Sequence, residues 1–215
     1  MAEEHRAGAG SRGLSVAQIV EAAVAVQEDV GPEGFSVRKV ATRVGCDPMA
    51  VLYHLRSRDN LERAMAEYLN AQLRTPDPAA SWRDRLTDLA HQYRTLALRY
   101  PRTFPLLLRF WITGPADYRH GETVYQALTD AGLSDPDVVD ACCGWYAAVL
   151  GLAASEAGGM LRPATATELA EVGELAPTRF PRTTALLPHI AAQQSERTYA
   201  HTVELLLDGI ERNAQ

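Results

Sequence analysis

The stretch Ser36-Val-Arg-Lys-Val-Ala-Thr-Arg-Val-Gly45-Cys-Asp-Pro-Met-Ala-Val-Leu-Tyr-His54 decides how this 215-residue chain reads. Ser36 suits the N-cap of a short helix through Val44, because its hydroxyl can accept from a free first-turn N–H. Gly45 breaks that helix. Asp47 caps the next one, with Pro48 at the first helical position, where a missing N–H costs nothing. This second helix runs to about Leu55. Two short helices joined by a tight turn containing Gly form a helix-turn-helix. Val40, Ala41 and Val44 are spaced to face inward on the first helix, and Val51 and Leu55 return to the same core from the second. The small Ala41 lets the pair cross closely. Pro48, Met49, Ala50, Tyr53 and His54 are left on the outer face of the second helix, free to enter a major groove.

Working outward, Ser15 caps a preceding helix with Ile19, Ala22, Ala23 and Val26 at helical spacing, and Gly31-Pro32 is expected to stop it. Ser57 caps a fourth helix from Arg58 to Leu73. Two prolines in Thr75-Pro76-Asp77-Pro78 prevent a helix from continuing straight, so a domain boundary is expected here, as a short stiff bend. Beyond it the spacing predicts helices from Ser81 to Tyr100, Thr103 to Ile112, Tyr118 to Ala131 and Pro136 to Met160. The proline-interrupted stretch from Leu161 to Pro181 reads as a loop with at most one short helix near Ala166 to Val172. A last helix starts at Thr183 or Pro188 and ends near Arg212. Strand signals are weak throughout. The chain is therefore expected to be all-α, with about nine helices: residues 1–13 as a flexible arm, 14–75 as a three-helix helix-turn-helix domain with the fourth helix after it, and 79–215 as a helical effector-binding and dimerisation domain.

Composition narrows the function classes. The chain carries 47% hydrophobic and 22% charged residues, the balance of a globular protein. No apolar run is expected to reach the ~18 residues of a membrane span, and Met1 to Gly13 lacks a secretory h-region, so the chain reads as cytoplasmic. Cys46, Cys142 and Cys143 are odd in number and two are adjacent, which suggests no disulfide framework; buried inert thiols are expected. The net charge of −6 argues against a general nucleic-acid binder. Between Phe35 and Arg58, however, five basic residues (Arg38, Lys39, Arg43, Arg56 and Arg58) face the single acid Asp47, a local balance of +4. There is no phosphate-binding Gly loop, no His-Glu-x-x-His, no Cys-x-x-Cys and no Gly-x-Ser-x-Gly. The six histidines form no i,i+4 pair. No catalytic residue, metal site or cofactor is expected.

The segment from Ile19 to about Leu69 resembles the DNA-binding domain of the tetracycline-repressor (TetR) family. The resemblance rests on Gly34-Phe-Ser-Val-Arg-Lys-Val-Ala, Val44-Gly-Cys-Asp-Pro-Met-Ala and Leu52-Tyr-His-Leu-Arg-Ser-Arg-Asp-Asn-Leu61, which agree with the family in order and spacing. It implies a homodimer that binds double-stranded, palindromic operator DNA and is released by a small-molecule effector. Carried over by position, Arg38 and its neighbour Lys39 stand near the start of the second helix. There the family contacts bases or backbone, and Arg can grip a guanine edge bidentately. Met49 and Ala50, beside Pro48, can touch a thymine methyl. Tyr53 and His54 point to backbone or groove floor, His54 equally as a structural hydrogen-bonder. Arg58, at a helix start, suits phosphate clamping. One departure stands out: Leu52 occupies the position where the family usually has Tyr, so a phosphate-binding hydroxyl is absent there.

In the second domain, Gly144, Gly151 and Gly158 recur every seven residues, with Ala148 and Ser155 between them. Glycine costs about 1 kcal/mol in a helix relative to Ala, so three in register suggest close helix packing. With Val203, Leu206, Leu207 and Ile210 of the last helix, Gly144, Ala148, Gly151 and Ser155 read as a four-helix dimer interface, which the resemblance also implies. Tyr93, Phe110, Trp111, Tyr125, Trp145 and Val149 form the candidate lining of an effector site for a hydrophobic or aromatic compound, with His91, Arg94, Arg109 and Glu156 as its polar groups. An ordinary core is the competing account of each. Two other readings of the whole stand beside the regulator: an enzyme, and a helical small-molecule-binding module without operator binding.

Overall fold

The computed structural model describes residues 14–214; the expected arm, 1–13, and Gln215 lie outside them. Among the described residues there are ten α-helices and no strands: α1 (Val16–Gly34), α2 (Val37–Val44), α3 (Pro48–Leu55), α4 (Arg58–Asn70), α5 (Trp82–Arg99), α6 (Pro115–Asp130), α7 (Asp135–Ala157), α8 (Ala166–Gly173), α9 (Pro181–Ala191) and α10 (Ser195–Asn213). A short 3-10 turn, Phe104–Leu108, precedes α6. The chain divides into two compact units. One comprises the chain up to Thr75 with Arg99–Glu122, and the other Pro76–Leu98 with Thr123 onward. Residues 99–122 thus pack with the helix-turn-helix segment, a grouping that chain order alone does not reveal.

In the first unit, Ile19, Ala23, Val40, Val51, Leu61 and Met65 are wholly enclosed and come from α1, α2, α3 and α4. The caps lie where the side chains direct them: Ser15 forms a capping box with Gln18, Ser36 accepts from the Lys39 amide, Asp47 from the Met49 amide and Ser57 from the Asn60 amide. Gly45 closes α2 at φ +71°, a conformation that would strain a residue with a Cβ. Gly31 does break α1 (φ +76°), but one further turn through Pro32 follows, because proline is welcome in a first turn. Helix α4 ends three residues before the expected Leu73. The helix expected from Thr103 to Ile112 is only the 3-10 turn, since Pro105 has no N–H to give and residues 109–114 leave the helical path.

In the second unit, α5, α7 and α10 bury Leu86, Leu89, Trp145, Val149, Tyr199 and Leu207 against one another. Tyr199 of α10 donates its hydroxyl to the Ala90 carbonyl of α5 at 2.7 Å, and Arg83 of α5 donates to Glu204 and Asp208 of α10 at 2.7 and 2.5 Å. The single last helix expected from the sequence is two helices, α9 and α10, separated at residues 192–194. Helices α8 and α9 pack on each other and bury no residue fully. Contrary to the expectation, α7 is long and apolar enough to cross a bilayer, with mean hydropathy 1.5 over an 18-residue window, of which a third is buried. Alanine, cysteine, valine and leucine give that value around the lone Asp140. The side of α7 bearing Val138, Cys142, Trp145 and Val149 packs inward, as in a core helix. Cys46 is half-buried, and Cys143 is exposed where a buried thiol was expected; only Cys142 is enclosed, and burial pushes its thiol up to about 11.

Candidate nucleic-acid interface and effector site

The outer face of the helix-turn-helix stands clear of the core. Met49 is 69% exposed and Tyr53 84% exposed. Arg38, Lys39 and His54 are exposed as well, while Pro48, Ala50 and Leu52 are half-buried. The Tyr53 and His54 rings meet edge to face at 5.6 Å. Lys39 is tethered, its Nζ donating to the Gly34 carbonyl at 2.8 Å. Asp47, the one acid counted among the basic residues, spends an oxygen on the Met49 amide at 2.7 Å and so fixes the start of α3. Arg56 follows α3 at φ +66°, held by its amide to the Leu52 carbonyl, and turns the chain so that α4 opens at Arg58. Arg58 is not a loose surface charge. Its Nε donates to Glu62 at 2.6 Å and its guanidinium lies over the Phe35 ring. Neither Glu62 nor Phe35 was singled out in the sequence, although the i,i+4 spacing of Arg58 and Glu62 is a readable signal.

A buried polar network joins α4 to the start of α6 within the same unit. Glu67 accepts from the Thr113 hydroxyl at 2.8 Å and from the Ala116 amide at 2.7 Å, so an α4 carboxylate caps α6. A Cβ on Gly114 would come within 2.7 Å of the Glu67 carboxyl carbon, which accounts for glycine there. Asn70 donates to Thr113 at 3.0 Å, and the His120 ring contacts the Asn70 carbonyl at 3.1 Å. His120 is fully buried, whereas His54, His91, His189 and His201 are exposed. Burial pulls the His120 imidazole below its ordinary 6.5, Arg119 adds to this, and the Asn70 carbonyl with Asp117 and Glu67 opposes it. The folded state therefore holds a neutral ring, while the unfolded chain takes up a proton below pH 6.5. Stability from this site is complete above pH 6.5 and is lost as the pH falls from there toward the lowered folded value. Asp117, raised chiefly by burial, acts with the opposite sign but at lower pH. Urea unfolding at pH 7 and 5.5 should show the loss, with a slope of at most about 1.4 kcal/mol per pH unit for one proton. A His120→Gln variant should lack it, and an equal loss in that variant would assign the proton elsewhere.

The candidate effector residues are divided between the two units. Tyr93 and Trp145 are enclosed in the second unit, with Tyr93, Trp145 and Tyr146 forming an edge-to-face cluster at centroid distances of 5.0–6.5 Å. Val149 is buried on the Trp145 side of α7 and Tyr125 is exposed on α6. The Trp145 Nε1 is buried without a partner among the described residues. Arg94 and Glu156 form a bidentate pair at 2.7 and 2.8 Å, and the His91 ring lies 6.2 Å from that of Tyr199. Phe110 and Trp111 belong to the first unit, where Phe110 is half-buried and Trp111 is 83% exposed. Arg109 belongs there too, bonded to Glu62 and Asp59.

The candidate dimer residues all lie in the second unit but differ in exposure. On α7, Gly144 is exposed, Ala148, Gly151 and Ser155 are half-buried, and a Cβ on Gly144 or Gly151 would meet nothing within 4 Å. On α10, Val203, Leu207 and Ile210 are buried inside their own chain, on a helix that packs against α7. Leu206 is half-buried and Leu205 is exposed. No group of His, Cys, Asp and Glu among the described residues is arranged to hold a metal.

The sequence matches the family model described as "Tetracyclin repressor-like, C-terminal domain" over residues 75–214. It is 28% identical over 129 residues to an HTH-type transcriptional regulator of Saccharopolyspora erythraea, covering 60% of this chain and 55% of that protein. It is 28% identical over 145 residues to the HTH-type transcriptional repressor DrrR1 of Streptomyces coeruleorubidus, covering 66% of this chain and 54% of that one. The chain thus spans about half the length of the curated relatives it matches. Its fold is similar to the Streptomyces coelicolor TetR family protein ActR, solved in complex with actinorhodin, with TM-score 0.83, 19% identity and coverage of 94% and 98% of the two chains. With the family model spanning well over half of its length, the chain belongs to the tetracyclin repressor-like family.

Proposed function

We propose that the chain is a ligand-responsive transcriptional repressor and not an enzyme: a cytoplasmic homodimer that binds a palindromic operator in double-stranded DNA and leaves it when a small hydrophobic or aromatic effector binds. The observation that carries this reading is the α3 face, with Met49 and Tyr53 projecting to solvent from a helix whose opposite side, Val51 and Leu55, is locked in the core. Arg38, Lys39, Pro48, Ala50, His54 and Arg58 complete the proposed DNA contacts. The names of the relatives, a regulator and a repressor, support it. The ligand-bound ActR supports an effector; its proposed place here is the second unit, where Tyr93, Trp145 and Val149 supply apolar surface and the buried Trp145 N–H offers a donor to an effector acceptor atom. The small-residue stripe of α7, exposed at Gly144 and half-buried at Ala148, Gly151 and Ser155, is the proposed dimer contact. A non-binding module is favoured by Leu52, half-buried where the family usually has Tyr, and by the net charge of −6.

Selection of bound sequences from a random duplex library tests the reading. A short palindrome should be enriched, and aromatic compounds that bind the protein should release it. No enrichment at low salt would leave the ligand-binding module in its place.

A further inference from the structure

Four charged side chains cluster at the start of α4. Arg58 Nε donates to Glu62 Oε1 at 2.6 Å, Arg109 donates to Glu62 Oε2, and Arg109 Nη2 donates to Asp59 Oδ1 at 2.6 Å. Glu62 is enclosed, whereas the side chains of Arg58, Asp59 and Arg109 are each more than half exposed. The buried member is therefore an acid shared by two arginines. The Arg58 guanidinium also lies with Cζ 5.4 Å from the centre of the Phe35 ring. One edge and one face of Arg58 are held, and its two terminal amino groups make no hydrogen bond among the described residues. Arg109 is held in turn, because Arg63 of α4 bonds the Ile112 carbonyl at 2.9 Å, three residues along from it.

A phosphate contact gains from this arrangement in two ways. An arginine already fixed loses little rotamer freedom when DNA arrives. Its charge, however, is only useful if the acid that fixes it is neutralised by another group. With Arg109 present, two arginines and two acids sum to zero; without it the cluster carries −1 beside the DNA backbone and Glu62 claims Arg58 alone. We propose that Glu62 and Arg109 are positioning residues for the DNA contact at Arg58: Glu62 orients the guanidinium, and Arg109 neutralises Glu62 so that the Arg58 charge stays available to a phosphate. The proposal rests on the operator-binding reading.

The test is operator affinity measured from about 50 to 200 mM salt. Arg58→Ala should lower the slope of log K against log salt by about one, as loss of a single phosphate contact does. Arg109→Gln should weaken binding roughly three- to tenfold, the scale of one added charge several ångströms away in a partly screened setting. The double variant Glu62→Gln/Arg109→Gln should return to within about twofold of wild type, since the acid and its neutraliser leave together. A double variant as weak as Arg109→Gln, or weaker, would show that Arg109 acts by packing and overturn the proposal. So would an Arg109→Gln slope reduced as far as that of Arg58→Ala, which would make Arg109 a contact itself. Should the double variant fail to fold, Arg109→Lys serves: it keeps the charge and should bind like wild type, and an affinity as low as that of Arg109→Gln would count against the proposal. A wild type that binds no DNA sinks the operator reading, whereas wild-type binding unchanged by Arg109→Gln sinks this proposal alone.

Discussion

An Arg94→Ala variant is expected to lose about 3–5 kcal/mol of stability, the cost of leaving a buried charge without its partner. Arg94 of α5 and Glu156 of α7 make two parallel bonds at 2.7 and 2.8 Å, with side chains only 18% and 8% exposed. The nearest other acid to Arg94, Glu196, stands at 3.8 Å and is exposed. Removing the guanidinium strands the Glu156 carboxylate among α7 neighbours that offer no second cation. The Arg94 plane also covers the Tyr199 ring, with Cζ 5.8 Å from its centre, so packing is lost with the charge. Against a typical total of about 5–15 kcal/mol, such a loss is severe. Urea unfolding measures it. The double variant Arg94→Met/Glu156→Leu should recover most of it, because replacing both ions by apolar groups of similar size is often neutral. If the single variant loses under about 1 kcal/mol, the pair behaves as a solvated surface bridge.

This pair shows how much of the chain its sequence discloses. Local devices were legible because they act within four residues: Ser36, Gly45, Asp47-Pro48 and Ser57 set helix ends through their own backbone, and the structure has each end there. Periodicity located most of the buried face of α1 and of α10 but not what covers it. Val203, Leu207 and Ile210 have the spacing of a seam, and the same spacing serves their own chain's core. Arg94 and Glu156 read from the sequence as polar groups beside aromatics, but nothing in the order of residues says that they grip each other across 62 positions. Phe110 and Trp111 carry the composition of a binding site, yet residues 99–122 group with the helix-turn-helix unit. The acids that balance the +4 segment, Glu62 and Asp59 at the start of α4 and Asp29 against Arg43, lie just outside the counted window. What acts over a few residues is written in the chain order; what depends on a distant partner is not.

Arg38 gives the largest expected effect on DNA binding. It lies in the first turn of α2, exposed, and its side chain makes no hydrogen bond among the described residues; only its carbonyl is used, accepting from Thr42 at 2.9 Å. Its truncation to alanine should leave folding within about 0.5 kcal/mol of wild type, as for other exposed side chains free of contacts. Operator affinity should nonetheless fall by about 1–3 kcal/mol if the guanidinium grips a guanine edge, and discrimination at that one base position should relax. A backbone contact predicts something different: a weakening uniform across sequences, with the salt slope reduced by about one. Titrating the variant against the selected operator and against single-base variants of it separates the two. Arg38 and Arg58 are then a matched pair, one unpartnered beside α3 and the other gripped by Glu62 at the start of α4. A base-reading Arg38 should change which sequence is chosen, whereas loss of Arg58 should change only how tightly any sequence is held. An Arg38→Ala variant that binds the operator as wild type does would remove this residue from the interface and leave the exposed Met49–Tyr53 face of α3 to account for whatever selectivity remains.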